Sequence, residues 1–188
     1  FIALRVDMKP FDDVRVRRAL NLAVNQQEIV DRFYGGHAEL MAYPQHPEFG
    51  EYFEPLEEMP ESIKHLFSYD PIEARRLLDE AGVPEGFTFN MQVCSCSPSQ
   101  MDLVPLLESY FGKVGVKVKI QPMEYASFLS AMTTKTHGPG YMLASGHTNP
   151  ITTIRKSFVT GQTWNPSQYS DPQLNEEVRL LHLERDEG

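Results

Sequence analysis

The residues of this chain most able to do chemistry are two cysteines and a few histidines. Cys94 and Cys96 stand two residues apart in an alternating apolar stretch. On a strand both would point to one face, where a disulfide between them meets poor geometry. A metal site needs further ligands close by, and the local sequence offers none. The pair therefore reads as two free thiols at a strand end. A nucleophilic role for Cys94 would need a partner base, with a cation or helix N-terminus to lower its pKa, and neither is legible around it. His137 and His147 flank the apolar stretch Tyr141–Ala144, but neither belongs to an i, i+4 pair on a helix or has an acid at fitting spacing. His37, His46, His65 and His182 are scattered singly and read as surface residues. Gly138-Pro139-Gly140 has the chemistry of a turn. No nucleophile elbow, phosphate loop or dinucleotide fingerprint is present. The expectation is a non-enzyme with no cofactor and no metal.

A binding site is argued from position. In an open α/β sheet, ligands sit beyond the carboxyl ends of the strands. Tyr141 to Ala144 reads as a strand, so Ala144, Ser145, Gly146, His147, Thr148 and Asn149 lie at its exit. A helix opening at Pro150 would aim its N-terminus at an anionic or carbonyl oxygen there. The same residues also suit a plain polar loop ending in an N-cap. Tyr141 either offers its ring and hydroxyl to a ligand or points into the core, since the alternation along 141–144 permits both.

The elements that hold this loop are well marked. Asp12 or Asp13 can cap a helix carrying Val16, Ala19, Leu20, Ala23 and Val24 on one face. Asn25 caps a second, with Glu28 placed as in a capping box, and Gly35-Gly36 ends it. Residues 37–66 lose all period and form a long loop, with a short helical turn at Glu61–Leu66. Asp70-Pro71-Ile72-Glu73 opens a helix that buries Ala74, Leu77, Leu78 and Ala81 and stops at Gly82. Phe87 to Val93 alternates as a strand. The helix around Leu103, Leu106, Leu107, Tyr110 and Phe111 either starts near Asp102 or kinks at Pro105. Val116, Val118 and Ile120 form a second strand, and strand–helix–strand at this spacing predicts a parallel pair. A short helix (Tyr125, Phe128, Leu129, Met132) leads to the third strand, near 140–144, and Asn149-Pro150 and Asp171-Pro172 open two more helices. The class is α/β, with residues 1–188 as a single lobe, a mixed sheet and flanking helices.

Composition bounds the partners. The 188 residues are 41% hydrophobic, enough for one sizeable core, and the net charge is -9. Arg5, Lys9, Arg15, Arg17 and Arg18 are the densest basic cluster, too sparse for a nucleic-acid face. No apolar run approaches the length of a membrane-spanning helix. The chain opens on the strand-like Phe1-Ile2-Ala3-Leu4, without an initiator Met, and is expected to be a piece of a longer protein.

Four blocks carry a family resemblance. The first runs from Pro10-Phe11-Asp12-Asp13-Val14-Arg15 through Arg18-Ala19-Leu20-Asn21-Leu22-Ala23-Val24-Asn25. The second is Tyr69-Asp70-Pro71-Ile72-Glu73-Ala74 through Leu77-Leu78-Asp79-Glu80-Ala81-Gly82. Leu106-Leu107-Glu108 through Gly115-Val116-Lys117-Val118, and Asn165-Pro166-Ser167-Gln168-Tyr169-Ser170-Asp171-Pro172, complete the set. In this order they resemble the C-terminal lobe of the extracellular solute-binding proteins of the oligopeptide/dipeptide/nickel class, solute-binding protein family 5. The resemblance covers nearly the whole chain.

It implies a periplasmic-binding-protein-like lobe of type II. The parent would be a two-lobed receptor, secreted or tethered as a lipoprotein. It would close on a peptide or other small solute by hinge motion and deliver it to an ABC permease in the membrane. Residues 1–7 would arrive from the N-terminal lobe, the other half of the cleft. Peptide-binding relatives show Gly-Trp, an acid a few positions on, and Asp-Pro, the first acid pairing with the peptide's amino terminus. Here Gly140-Tyr141 replaces Gly-Trp, Asn149-Pro150 replaces Asp-Pro, and no carboxylate lies between. A buried ammonium needs a carboxylate partner, so the counter-charge for a free-amine peptide would come from the other lobe. Ligands of the class also include sugars, opines and metal chelates. A hydrolase-type or adaptor domain on the same lobe is the competing reading.

Overall fold

The computed structural model describes residues 1–40, 46–144 and 149–186. The chain enters as β1 (Ile2–Leu4). Asp13 then accepts the amide of Arg15 and starts α1 (Val14–Leu22), which buries Val16, Ala19, Leu20 and Leu22. Asn25 Oδ1 accepts the Glu28 amide at 3.0 Å to start α2 (Gln26–Glu28), which a π turn over Ile29–Phe33 prolongs. Glu28 has a further use: its carboxylate accepts the Tyr110 hydroxyl at 2.6 Å, tying α2 to a distant helix. The connection expected as a plain loop carries 3₁₀ turns at Pro47–Tyr52 and Leu56–Glu58, then the one-turn α3 (Glu61–Lys64) and a further 3₁₀ turn at His65–Phe67. Asp70 caps α4 (Pro71–Glu80) through the Glu73 amide, and its own amide donates to the Leu22 carbonyl, docking α4 beside α1.

The sheet comes next. β2 (Phe87–Cys94), α5 (Pro98–Lys113), β3 (Val116–Met123), α6 (Tyr125–Thr133) and β4 (Gly140–Met142) follow one another, and α7 (Pro150–Phe158) and α8 (Pro172–Asp186) close the chain. The strand order is β1-β4-β2-β3. β2 lies parallel to β3 and to β4, while β1 runs antiparallel to β4, so the sheet is mixed. The predicted α/β lobe and its parallel pair of strands are present. Of the two expected forms of α5, the start near Asp102 is not the one found. The helix begins at Pro98, one turn earlier than Asp102, and carries Pro105 within it on its exposed side. Proline forfeits one backbone bond there, which solvent can take up, while Leu103, Val104, Leu107, Tyr110 and Phe111 keep the buried face intact.

Two apolar layers cover the sheet. Phe89, Met91 and Val93 face a large cluster built with α1, α4 and α5. On the other face Cys94, Tyr141 and Leu143 pack with Phe128 and Met132 of α6. Gly140 is what lets β4 dock: it pairs with Met91, and a Cβ there would stand 2.8 Å from the Phe89 ring and 3.1 Å from the Asn90 carbonyl oxygen. Only glycine fits so close a backbone approach.

Candidate functional site

Strand order reverses at β2. α5 carries the chain from β2 to β3 on one side, and α6 carries it back past β2 to β4 on the other. This topology puts a switch point between β2 and β4, and in open α/β sheets ligands usually sit beyond the carboxyl ends of the strands at such a point. Leu143 leaves β4 at this edge, its amide donating to the Phe1 carbonyl at 3.0 Å, and Ala144 beyond it is exposed. Cys94 leaves β2 at the same edge, and Ser95 is tied to the end of β3 by its amide and hydroxyl, both donating to the Met123 carbonyl. The N-termini of α5, α6 and α7 all follow strand exits on this side, so their positive dipole ends favour a carboxylate or carbonyl oxygen.

Of the residues picked from the sequence, Ala144 lies at the edge, and Ser145, Gly146, His147 and Thr148 fall outside the described residues. Asn149 is committed to capping. Its Oδ1 accepts the Thr152 amide at 3.0 Å, and its carbonyl accepts the Thr153 amide and hydroxyl. Tyr141 corrects the expectation of a ring turned toward ligand. It is fully buried, stacked on Phe128 at 4.2 Å and edge-on to His137 at 5.0 Å. Its hydroxyl donates to the Phe128 carbonyl at 2.6 Å, and burial pushes its pKa up. The physical reason is register: Tyr141 pairs with Gln92 and Ala3, which puts its side chain on the α6 face. It supports the edge from behind.

The cysteines give a second correction. Cys94 and Cys96 form a disulfide, and the described residues hold no free cysteine. The two side chains would share one face only on a strand that ran through Cys96. β2 ends at Cys94, and the backbone turns at Ser95, leaving the two Cα atoms 5.1 Å apart, an ordinary disulfide spacing.

Residues that sequence reasoning missed hold the edge in place. Arg5 is buried, pairs with Asp7 through two hydrogen bonds, and donates to the carbonyls of Lys135 and His137. Lys135, at φ 61°, donates through Nζ to the carbonyls of Gln162, Thr163 and Asn165 at 2.8–3.0 Å. His137 Nε2 sits 2.7 Å from the Pro166 carbonyl, and Nδ1 lies 3.3 Å from that of Ala131. Burial holds His137 below its ordinary pKa, and the Arg5 and Lys135 cations push the same way. Together these groups pin the α6–β4 turn to the segment after α7. A lysine whose ammonium bonds three carbonyls about 30 residues away has no local sequence signal.

The periplasmic binding protein DppA from Helicobacter pylori, in complex with a peptide, superposes with a TM-score of 0.75 at 21% identity, covering 96% of this chain and 34% of that one. The oligopeptide-binding protein AppA from Bacillus subtilis, in complex with a nonapeptide, superposes with a TM-score of 0.79 at 18% identity, covering 95% of this chain and 37% of that one. The lobe is thus of the type II periplasmic-binding-protein fold. At the sequence level the pattern of the bacterial extracellular solute-binding proteins, family 5 Middle, matches residues 1–166, and the chain belongs to that family. Di/tripeptide-binding protein 1 of Pseudomonas aeruginosa is 33% identical over 133 residues, 69% of this chain and 23% of that protein. The glutathione-binding protein GsiB of Pectobacterium atrosepticum is 29% identical over 196 aligned residues, 95% of this chain and 35% of the relative. The chain spans 23% and 35% of the length of these two relatives.

Proposed function

We propose that this chain is one ligand-binding lobe of an extracytoplasmic receptor that captures a short peptide or similar small solute and hands it to an ABC importer. The observation that carries the reading is the reversal of strand order between β2 and β4, with helix N-termini following the strand exits, in a lobe of the family 5 fold. In this reading Ala144–Asn149 supplies the ligand surface, with Cys94–Ser97 at the neighbouring strand exit and Tyr141 as the buried support. The helix dipoles suit the carboxylate end of a peptide. Its ammonium end would meet a carboxylate supplied by a second, N-terminal lobe of the same parent. Relatives named for dipeptide, tripeptide and glutathione binding support short peptides as the ligand class. In this reading the parent acts in the periplasm or outside the cell, tethered by lipid or free, and performs no catalysis.

The test is a thermal-shift screen of the full-length protein against di- and tripeptides, glutathione and nickel–histidine chelates. A ligand at about a hundredfold its Kd stabilises the native state by about 2.7 kcal/mol, a readily seen rise in Tm. Calorimetry on a Ser145→Ala variant then places the ligand: weaker binding with unchanged Tm of the free protein supports the edge. A screen in which no peptide or chelate raises Tm refutes the reading.

A further inference from the structure

The disulfide that closes the end of β2 is built for exchange rather than for cross-linking. It spans one intervening residue, so it removes little freedom from the unfolded chain and adds little to the fold. Its two sulfurs are unlike. Cys94 is 3% exposed, packed with Leu143, Tyr141 and Phe128, whereas Cys96 is exposed. The Cys96 amide donates to Cys94 Sγ at 3.3 Å, a contact that stabilises negative charge on that sulfur. α5, 16 residues long, begins two residues after Cys96 with Ser97 as N-cap, and the Ser97 side chain makes no capping bond. Its positive end therefore faces the cysteine turn and favours thiolate there.

From this asymmetry we infer that Cys94–Ser95–Cys96 is a thiol–disulfide exchange site for small thiols, with Cys96 the sulfur attacked and Cys94 the leaving group. A thiolate approaches the exposed Cys96 Sγ. A new sulfur–sulfur bond forms between the incoming thiol and Cys96, the Cys94–Cys96 bond breaks, and its electron pair leaves on Cys94 Sγ. That sulfur takes a proton from solvent or stays a thiolate beside the Cys96 amide. Return attack by Cys94 on Cys96 expels the small thiol and restores the disulfide. No oxidant is consumed, because the cycle only exchanges partners. Cys94 packs with Leu143 at the exit of β4, so an adduct on the exposed Cys96 stands near that strand exit, where a thiol-bearing solute would be held covalently. The inference does not need the receptor reading, since any accessible thiol tests it.

The experiment uses the full-length protein, native, in reduced glutathione, quenched in acid and alkylated with N-ethylmaleimide after denaturation. Peptide mass spectrometry is expected to find glutathione on Cys96 and maleimide on Cys94, in at least about tenfold excess over the reverse pattern, as access to the attacked sulfur dictates. Single-cysteine variants give a second measurement: in native protein Cys94→Ser should label rapidly at Cys96, whereas Cys96→Ser should leave Cys94 protected until denaturation. The inference is overturned by a disulfide that resists native glutathione yet opens in denaturant, by adducts on Cys94, or by equal native labelling of the two variants. Protein isolated under air with both thiols free overturns it as well. Failure of the peptide screen with success here, or the converse, separates the two proposals.

Discussion

Replacing Gly140 by alanine would put a methyl carbon 2.8 Å from Phe89 Cε2, 3.1 Å from the Asn90 carbonyl oxygen and 3.3 Å from Met91 Cβ. Non-bonded carbons settle about 3.5–4.0 Å apart, so all three neighbours would have to yield. Phe89 cannot swing aside easily, because Phe11 and Phe111 pack edge-on against it at 5.1 and 6.3 Å. The Asn90 carbonyl belongs to the β2 backbone, between β3 and β4, and moving it disturbs the ladder. Overpacking of a well-filled core costs about 1–3 kcal/mol, and the upper half of that range is expected where backbone must move. Gly138, two residues earlier, is the control: nothing stands within 4 Å of a Cβ there. Urea unfolding followed by circular dichroism should show a lower midpoint for Gly140→Ala at unchanged slope, and Gly138→Ala should match the parent. A shift of β4 also displaces Leu143 and Ala144, so ligand affinity should fall with stability in the first variant only. Equal unfolding free energies for the two variants would refute the close-approach argument.

Tyr141→Phe should destabilise by about 1–3 kcal/mol, the cost of leaving the buried Phe128 carbonyl without its hydroxyl donor; an unchanged Tm would show that the hydroxyl is not buried against it. For His137 the sign follows from its depressed folded pKa. Above the ordinary value of 6.5 both states are neutral and the histidine costs nothing, whereas below it the unfolded chain takes up a proton that the folded lobe resists. Stability from this group is therefore lost as pH falls through 6.5 and below, with Arg5 and Lys135 opposing protonation and Asp7 the nearby carboxylate. His137→Gln should flatten the fall of Tm between about pH 7 and pH 5; an identical profile in the variant would place the titrating group elsewhere.

Much of the architecture is readable along the chain because its causes are local. Asp13, Asn25, Asp70 and Asn149 cap the helices they precede, each through a side-chain oxygen on an amide two or three residues ahead. Alternation over 87–93 and 116–120 marks two strands, and the helix between them forces a parallel pairing.

What remained hidden depends on which groups meet across the chain. Whether Tyr141 faces solvent or core turns on the register of β4 against β2 and β1, since a shift of one residue exchanges the faces. Cys94 and Cys96 come into bonding range because the strand stops at Cys94, a boundary set by Ser95 docking on Met123, 28 residues away. Lys135 and Arg5 find their carbonyl partners about 30 and 130 residues off in sequence, and no local pattern records such pairings. Caps, turns and periodicity are short-range physics and can be read in the amino-acid order. Register, the burial of a given ring and the satisfaction of distant carbonyls are decided only when the layers close on one another.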